Sequence, residues 1–409
     1  MKPRNSSRYR PVAVLAILSA FALIAPDRIS AQLTDGRGGE AQLVAQVGPG
    51  ATLVHSQFGG QIFGFDIDQN GSEGVLSEAQ ALNNGKVLAA VETFDQASGK
   101  ILKVITKLET GDDFLTLGVV GSSVGLVEHE HVKGIYVNKR IYDVLNPLDS
   151  NKFSGTWTPP LASDNIIISV SRNQYPSNHG AASNAVMAFE NGGNFNTFVF
   201  GADVAANTAQ PFVTLTDEVF DFGDSPVMAY DNQTNQAVVA ASTGEVGGPP
   251  PVIALVDLTS GTVIEFDGLP GAPPYRAGFV NGIAVDSDDG IACTTTELDF
   301  SVEFYNLKKQ TGFAVTLPGA SNQIQSGSDV EFDPVNKLFL VAQSVSSTGQ
   351  GSSIQVYDTK GNLVESLNGF SFSNAFNVVF THIALNPTHR SGYVDGPDSG
   401  VTEIQSFTY

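Results

Sequence analysis

Asp66, Asp68, Asn70 and Gly71 form a D-x-D-x-N-G loop within FDIDQNGSEG. Oxygens on alternate residues of a tight turn can converge on one hard cation, and the glycine permits the bend, as at the start of a calcium loop. The twelfth position, where a bidentate acid is required, is Ser77, with Glu78 one residue late. Aspartate and asparagine equally serve a metal-free hairpin turn, so both readings of this loop stand. Further on, VEHEHV sets His129 and His131 two residues apart on one face of a strand, with Glu128 and Glu130 on the other. Two imidazoles at that spacing can share a zinc ion, but no third ligand is visible nearby, and an exposed polar strand face accounts for them as well. The single cysteine, Cys293 in IACTTTE, reads as a small buried hydrophobe on a strand. There is no P-loop and no cysteine pair with zinc spacing, so the corresponding nucleotide and zinc-ribbon signatures are absent.

The first residues read as an export signal. Lys2, Arg4, Arg8 and Arg10 precede an apolar run at 12–25 that Pro26 ends. As a helix that run rises only about 21 Å, short of the roughly 30 Å hydrocarbon core, which favours a signal peptide over a membrane anchor. Cleavage is expected after Ala31, with Ala22 as the competing position, and no cysteine lies near either one for a lipid anchor. The expected organisation is a signal peptide at 1–31, a flexible segment at 32–50 and a single domain at 51–409, secreted or periplasmic. No second long apolar run follows, so no membrane insertion is expected after cleavage.

The formal charge is −21, and removing residues 1–31, which carry five basic groups and one acid, makes it more negative still. Such a surface repels phosphate backbones and anionic lipid, which argues against nucleic-acid or membrane-surface partners. It is compatible with attraction for divalent cations. One cysteine forms no intrachain disulfide, so stability must come from burial.

The residues that must position any site repeat. PVMAYDNQTNQAVVAAS, NGIAVDSDDGIACTTTE and SDVEFDPVNKLFLVAQS each set an apolar run, an Asp with turn residues, and a second apolar run. Each is followed by a hairpin: VIALVDLTSGTVIEF, VEFYNLKKQTGFAV and IQVYDTKGNLVESL. Asp231, Asp286 and Asp333 recur at spacings of 55 and 47 residues, and Asp257, Asn306 and Asp358 at 49 and 52. A period near fifty built from four short strands is a propeller blade. Two further blades precede these at 60–112 and 114–160, and a less regular one lies at 166–218, with a long polar loop at 174–183. Three strands close the chain, THIALNP, SGYVDGP and VTEIQSFTY, and the lone early strand ATLVHSQ can supply their fourth. The expected fold is therefore an all-β propeller of four-stranded antiparallel blades, its ring closed by strands from the two ends of the chain. The count is seven, or six if the second and third blades are divided differently.

VDLTSGTVIEF and YDTKGNLVESL resemble the outer hairpins of YVTN- and NHL-type β-propellers, and NGIAVDSDDG resembles the inner-strand signature of the gluconolactonase and paraoxonase group. The likeness covers most of residues 51–409 at the level of architecture. A WD-repeat assignment lacks its signature residues, since Trp157 is the only tryptophan. In gluconolactonase-type propellers, Asn and acidic residues at inner-strand starts hold a calcium ion that activates water or polarises a lactone carbonyl. Asn281 matches such an Asn, whereas Pro226, Ser328 and Thr381 occupy its register in the neighbouring repeats, with Asp329 and His382 one residue late.

The sequence thus reads as an exported binding or scaffold module, expected to be a monomer, whose ligand is a small molecule, glycan or protein. A calcium-dependent lactonase or related ester hydrolase using Asn281, Asp329 and His382 is the alternative, and a structural cell-surface or matrix protein the third reading.

Overall fold

Strands sandwiched between neighbouring sheets must be apolar on both faces, and the continuous apolar runs of the central repeats meet that requirement. Gln236–Ala241 and Ile291–Thr296 are buried along nearly their whole length, whereas the outermost strands Val263–Phe266 and Thr311–Thr316 are largely exposed or half-buried. The computed structural model describes residues 47–409 except 69–71, 85, 111–114, 121–122, 133–134, 146–154, 158–164, 173–183, 192–196, 204–207, 212, 216–226, 242–250, 268, 270–279, 297–300, 319–324, 346–352, 371–381 and 399–400, and gives no side-chain description over 105–196. The expected export signal and the polar loop at 174–183 lie outside the described residues.

The described strands group into seven antiparallel sheets, six of four strands and one of five. Their innermost strands follow one another around a ring: Gln61–Ile67, Leu115–Val120, Asn165–Arg172, Val227–Asp231, Val280–Asp286, Gln325–Asp333 and Ile383–Asn386, the last lying against the first. Numbered in that order, the sheets are blades one to seven. Blade seven takes its fourth strand from far away in the chain, because Gly48–His55 pairs antiparallel with Val401–Thr408. That strand starts at Gly48, so residues 48–50, expected to be flexible, belong to the ladder. In blade three the fourth strand is split into Thr208–Ala209 and Val213–Leu215, both paired with Thr197–Asp203. Pro211 stands between the pieces and brings no N–H to the ladder.

The core lies between blades rather than inside one. Phe304, Phe332, Phe339 and Tyr357 meet between blades five and six, and Leu340, Val356, Leu385 and Phe407 between blades six and seven. Each fully buried large side chain contributes roughly 1.5–3 kcal/mol relative to exposure. Among the described residues, no helix is long and apolar enough to cross a membrane.

At one end of the ring the repeated acids build the turns. Asp231 Oδ1 accepts the N–H of Gln233, and Asp333 Oδ1 accepts those of Val335 and Asn336. Asp257 and Asp358 do the same in the outer hairpins. The turns then need a residue with positive φ: Gly290 supplies it in blade five at 68°, and Asn235 and Lys337 adopt it in blades four and six. These acids also tie blade to blade. Lys337 Nζ donates to Asp286 Oδ1 at 2.8 Å and Asp288 Oδ2 at 2.6 Å, and the Tyr409 hydroxyl donates to Asp333 Oδ2 at 2.8 Å.

Candidate functional site

At the opposite end, where inner strands begin, backbone irregularity and polar side chains coincide. The ladder of blade five shifts register between Val280 and Gly282, leaving Asn281 as the extra residue, and that of blade six shifts between Gly327 and Asp329, leaving Ser328. A bulge re-aims the side chains beside it. Gly282 and Asp329 are therefore equivalent positions on adjacent strands, and they meet. A Cβ on Gly282 would lie 2.7 Å from Asp329 Oδ1 and 2.8 Å from the Val330 nitrogen. The missing side chain is what lets the Asp329 carboxylate fit there.

Asp329 joins two blades. Its Oδ1 accepts the N–H of Val330 at 2.8 Å, and its Oδ2 accepts that of Ile383, in blade seven, at 2.9 Å. The preceding residue, His382, is gripped twice by Asp395, through its backbone N–H to Oδ1 and its ring Nδ1 to Oδ2 at 2.9 Å. Asp395 has no exposed surface, whereas the His382 side chain is 28% exposed and meets Phe65 of blade one edge-on at 6.4 Å. An Asp–His–Asp cluster thus spans blades six and seven, with Gly282 of blade five against it.

Electrostatics bind the cluster as a unit. Burial alone would lower the His382 pKa, but the charge and hydrogen bond of Asp395, followed by the charge of Asp329, bring it up to about 8. Burial pushes Asp329 up to about 6 against the opposing pull of His382 and two backbone amides. Burial likewise raises Asp395, despite the His382 charge and hydrogen bond.

Of the residues singled out in the sequence, Asp329 and His382 come together, and half-buried Asn281 stands beside them through Gly282. Asp395 was not singled out. Its signal was strand arithmetic: counting four residues along each strand from the Asn386↔Ser391 end of the ladder sets His382 opposite Asp395. Asp66 and Asp68 stand at the other end of the ring, at the hairpin joining the first two strands of blade one. There Asp66 Oδ1 accepts the N–H of Ile67, and the Asp68 N–H donates to the Glu73 carbonyl. Asn70 lies outside the described residues. His129 and His131 lie in Ser123–Val132, paired with Asn138 and Tyr136; their side chains are outside the description. Cys293 is buried.

Calcium takes six to eight oxygen ligands. The cluster offers one carboxylate whose two oxygens already accept amides, one imidazole locked to a second carboxylate, and one Asn. This donor set does not suit that ion. Among the described residues, no three His, Cys, Asp or Glu side chains are placed to hold one metal.

Gly282→Ala is expected to displace Asp329. Overpacking of this kind costs about 1–3 kcal/mol, and loss of the Asp329 charge should lower the His382 pKa. Chemical denaturation with an NMR titration of the ring checks both; no change in either would show that the close approach is not needed.

A closed ring of radially placed, four-stranded antiparallel sheets is a β-propeller. No protein-family model and no curated protein matches this sequence. Solved structures do. The chain is similar to the β-propeller domain of Myceliophteria thermophila Cps50 (Swd1), at 12% identity and a TM-score of 0.51, over 89% of this chain and 100% of that one. It is also similar to the WD40 repeats of RRP9, at 12% identity and 0.52 over 88% and 99%, and to the Dos1 propeller, at 8% and 0.53 over 88% and 95%. At these identities the likeness is one of fold.

Proposed function

We propose that this is an exported binding or scaffold propeller that recognises its ligand at the end of the ring where Asn281, Asp329 and His382 gather. The observation that carries this reading is the grip of Asp395 on His382. It holds a partly exposed imidazole in one orientation at the junction of rigid blades, beside a half-buried amide side chain. Preorganised polar groups on a scaffold lower the entropic cost of binding. Solved propellers of the same fold are consistent with a binding role, although function has to be argued from the site. The likeness to YVTN- and NHL-type repeats belongs with this reading. The gluconolactonase likeness supplies the alternative reading, a calcium-dependent lactonase, for which the described residues place no three His, Cys, Asp or Glu side chains around one metal.

Arrays of oligosaccharides and of synthetic peptides, probed with the mature protein, test the proposal. Binders are expected to lose about ten-fold in affinity on His382→Gln, the scale of one lost charged hydrogen bond. Lys309→Ala, in an exposed turn at the other end, should leave them unchanged. Binding indifferent to His382→Gln, or turnover of lactones or aryl esters that chelation abolishes, would overturn the reading.

A further inference from the structure

The chain passes from the closing strand Gly48–His55 to the first strand of blade one through residues 56–60, and two glutamates of blade one hold this connection. Glu78 Oε2 accepts the Ser56 hydroxyl and, at 2.9 Å, the N–H of Gly60. Glu92 Oε2 accepts the N–H of Gln57, also at 2.9 Å. Ser56 Oγ in turn accepts the N–H of Gly59 at 2.9 Å. The two strands are neighbours, with Glu78 paired to Ala90 and Leu76 to Glu92, which puts both carboxyls diagonally on one face. Both residues are almost wholly buried, at 1% and 0% exposure, and the remaining oxygen of each, Oε1, is buried with no hydrogen-bond partner.

Two bare carboxylate oxygens enclosed side by side are costly unless something lies between them. We propose that Glu78 and Glu92 share one proton, and that this proton makes the pair a pH-sensitive latch on the strand that closes the ring. Burial raises Glu92 to about 7, with the charge and hydrogen bond of Glu78 adding to the rise and the Gln57 amide opposing it. Among the described side chains, no lysine, arginine or histidine is paired with either carboxyl. Residues 56–60 carry no charge. On blade seven, His382 is taken by Asp395, and Glu403 is paired with His55 at 2.8 Å. On the neighbouring strand, Lys103 stands opposite Thr93, on the other face from Glu92, whose own partner is Val104; Lys107 stands opposite Ala90, with its side chain outside the description.

The sign follows from a raised acid. The folded chain holds the proton more tightly than the unfolded chain, so the latch is fully present below the ordinary glutamate range and is lost as pH rises through about 7. Opening then frees residues 56–60 and one end of the closing strand.

Limited proteolysis of the mature protein with proteinase K, its cuts within 47–60 read by mass spectrometry, tests the latch. Comparison with Glu92→Gln cancels the pH dependence of the protease, because the amide keeps a donor to Glu78 at every pH. The ratio of wild-type to Glu92→Gln cutting is expected to rise roughly ten-fold or more between about pH 5.5 and 8.5. A ratio that stays constant would overturn the proposal. So would calcium alone restoring protection at pH 8.5, which would make the shared group a metal. If Glu92→Gln does not fold, a carbon-detected NMR titration of the wild-type Glu92 carboxyl decides: a midpoint near 7 supports the latch, and one near 4.5 removes it.

Discussion

Asp395→Ala is expected to lower stability by about 3–5 kcal/mol, the usual loss when one member of a buried charged pair is removed. Asp395 is completely buried, and both its oxygens serve His382, one taking the backbone N–H and the other the ring. Without it, an enclosed amide and an imidazole lose their partner between blades seven and one. Asp395→Asn separates charge from shape. The amide can still accept one of the two bonds, so the fold should survive, but the His382 pKa should drop from about 8 to below the ordinary histidine value, since burial then acts unopposed except by Asp329. Denaturant midpoints give the first quantity and an NMR titration of the ring the second. A wild-type midpoint in Asp395→Ala would mean that the grip is incidental.

The second large effect is a stability optimum on the acidic side of neutrality. Glu92, Asp329 and His382 all have raised pKa values, to about 7, 6 and 8. For the two acids, stability is greatest with the proton on and falls as pH climbs from the ordinary carboxylate range through about 6 and 7. For His382, the contribution is complete below 6.5 and is lost as pH rises through about 8. The three signs agree, so unfolding free energy should fall by on the order of 2–3 kcal/mol between about pH 6 and 8.5. Growing negative charge on an already acidic chain pushes the same way. The exposed turn acids Asp95 and Asp257, held below the ordinary aspartate range chiefly by hydrogen bonds from Ser98 and Ser260, add a small opposite loss in strong acid. Urea titrations across this range would contradict the account if stability rose towards pH 8.5.

The fold was legible because its determinants are local and repeated. An Asp that starts each turn and a positive-φ residue just before the next strand can be read from the chain, as at Asp286 and Gly290. The partnership of an early strand with the last blade was legible too, since three strands need a fourth. The split at Pro211 was not foreseen, although proline announces it. The candidate site was legible only in part. Asp329 and His382 stand one residue late against Asn281; the bulges at Asn281 and Ser328 share one register, so Asp329 matches Gly282, whose missing side chain gives the carboxylate room. Bulges leave no sequence mark beyond Gly282. The pairing of Glu78 with Glu92 left no mark in the sequence because their roles depend on a loop that folds back over blade one, and no local spacing encodes that contact.

Chemical-shift mapping on the labelled protein, with the strongest binder from the oligosaccharide or peptide arrays, tests the central claim most directly. The account predicts that the largest shifts fall on Asn281, Gly282, Asp329, Val330, His382 and Ile383, at the inner-strand starts of blades five to seven. Shifts confined to the turns around Asp257, Lys309 and Asp358, or to the exposed outer strands, would contradict it.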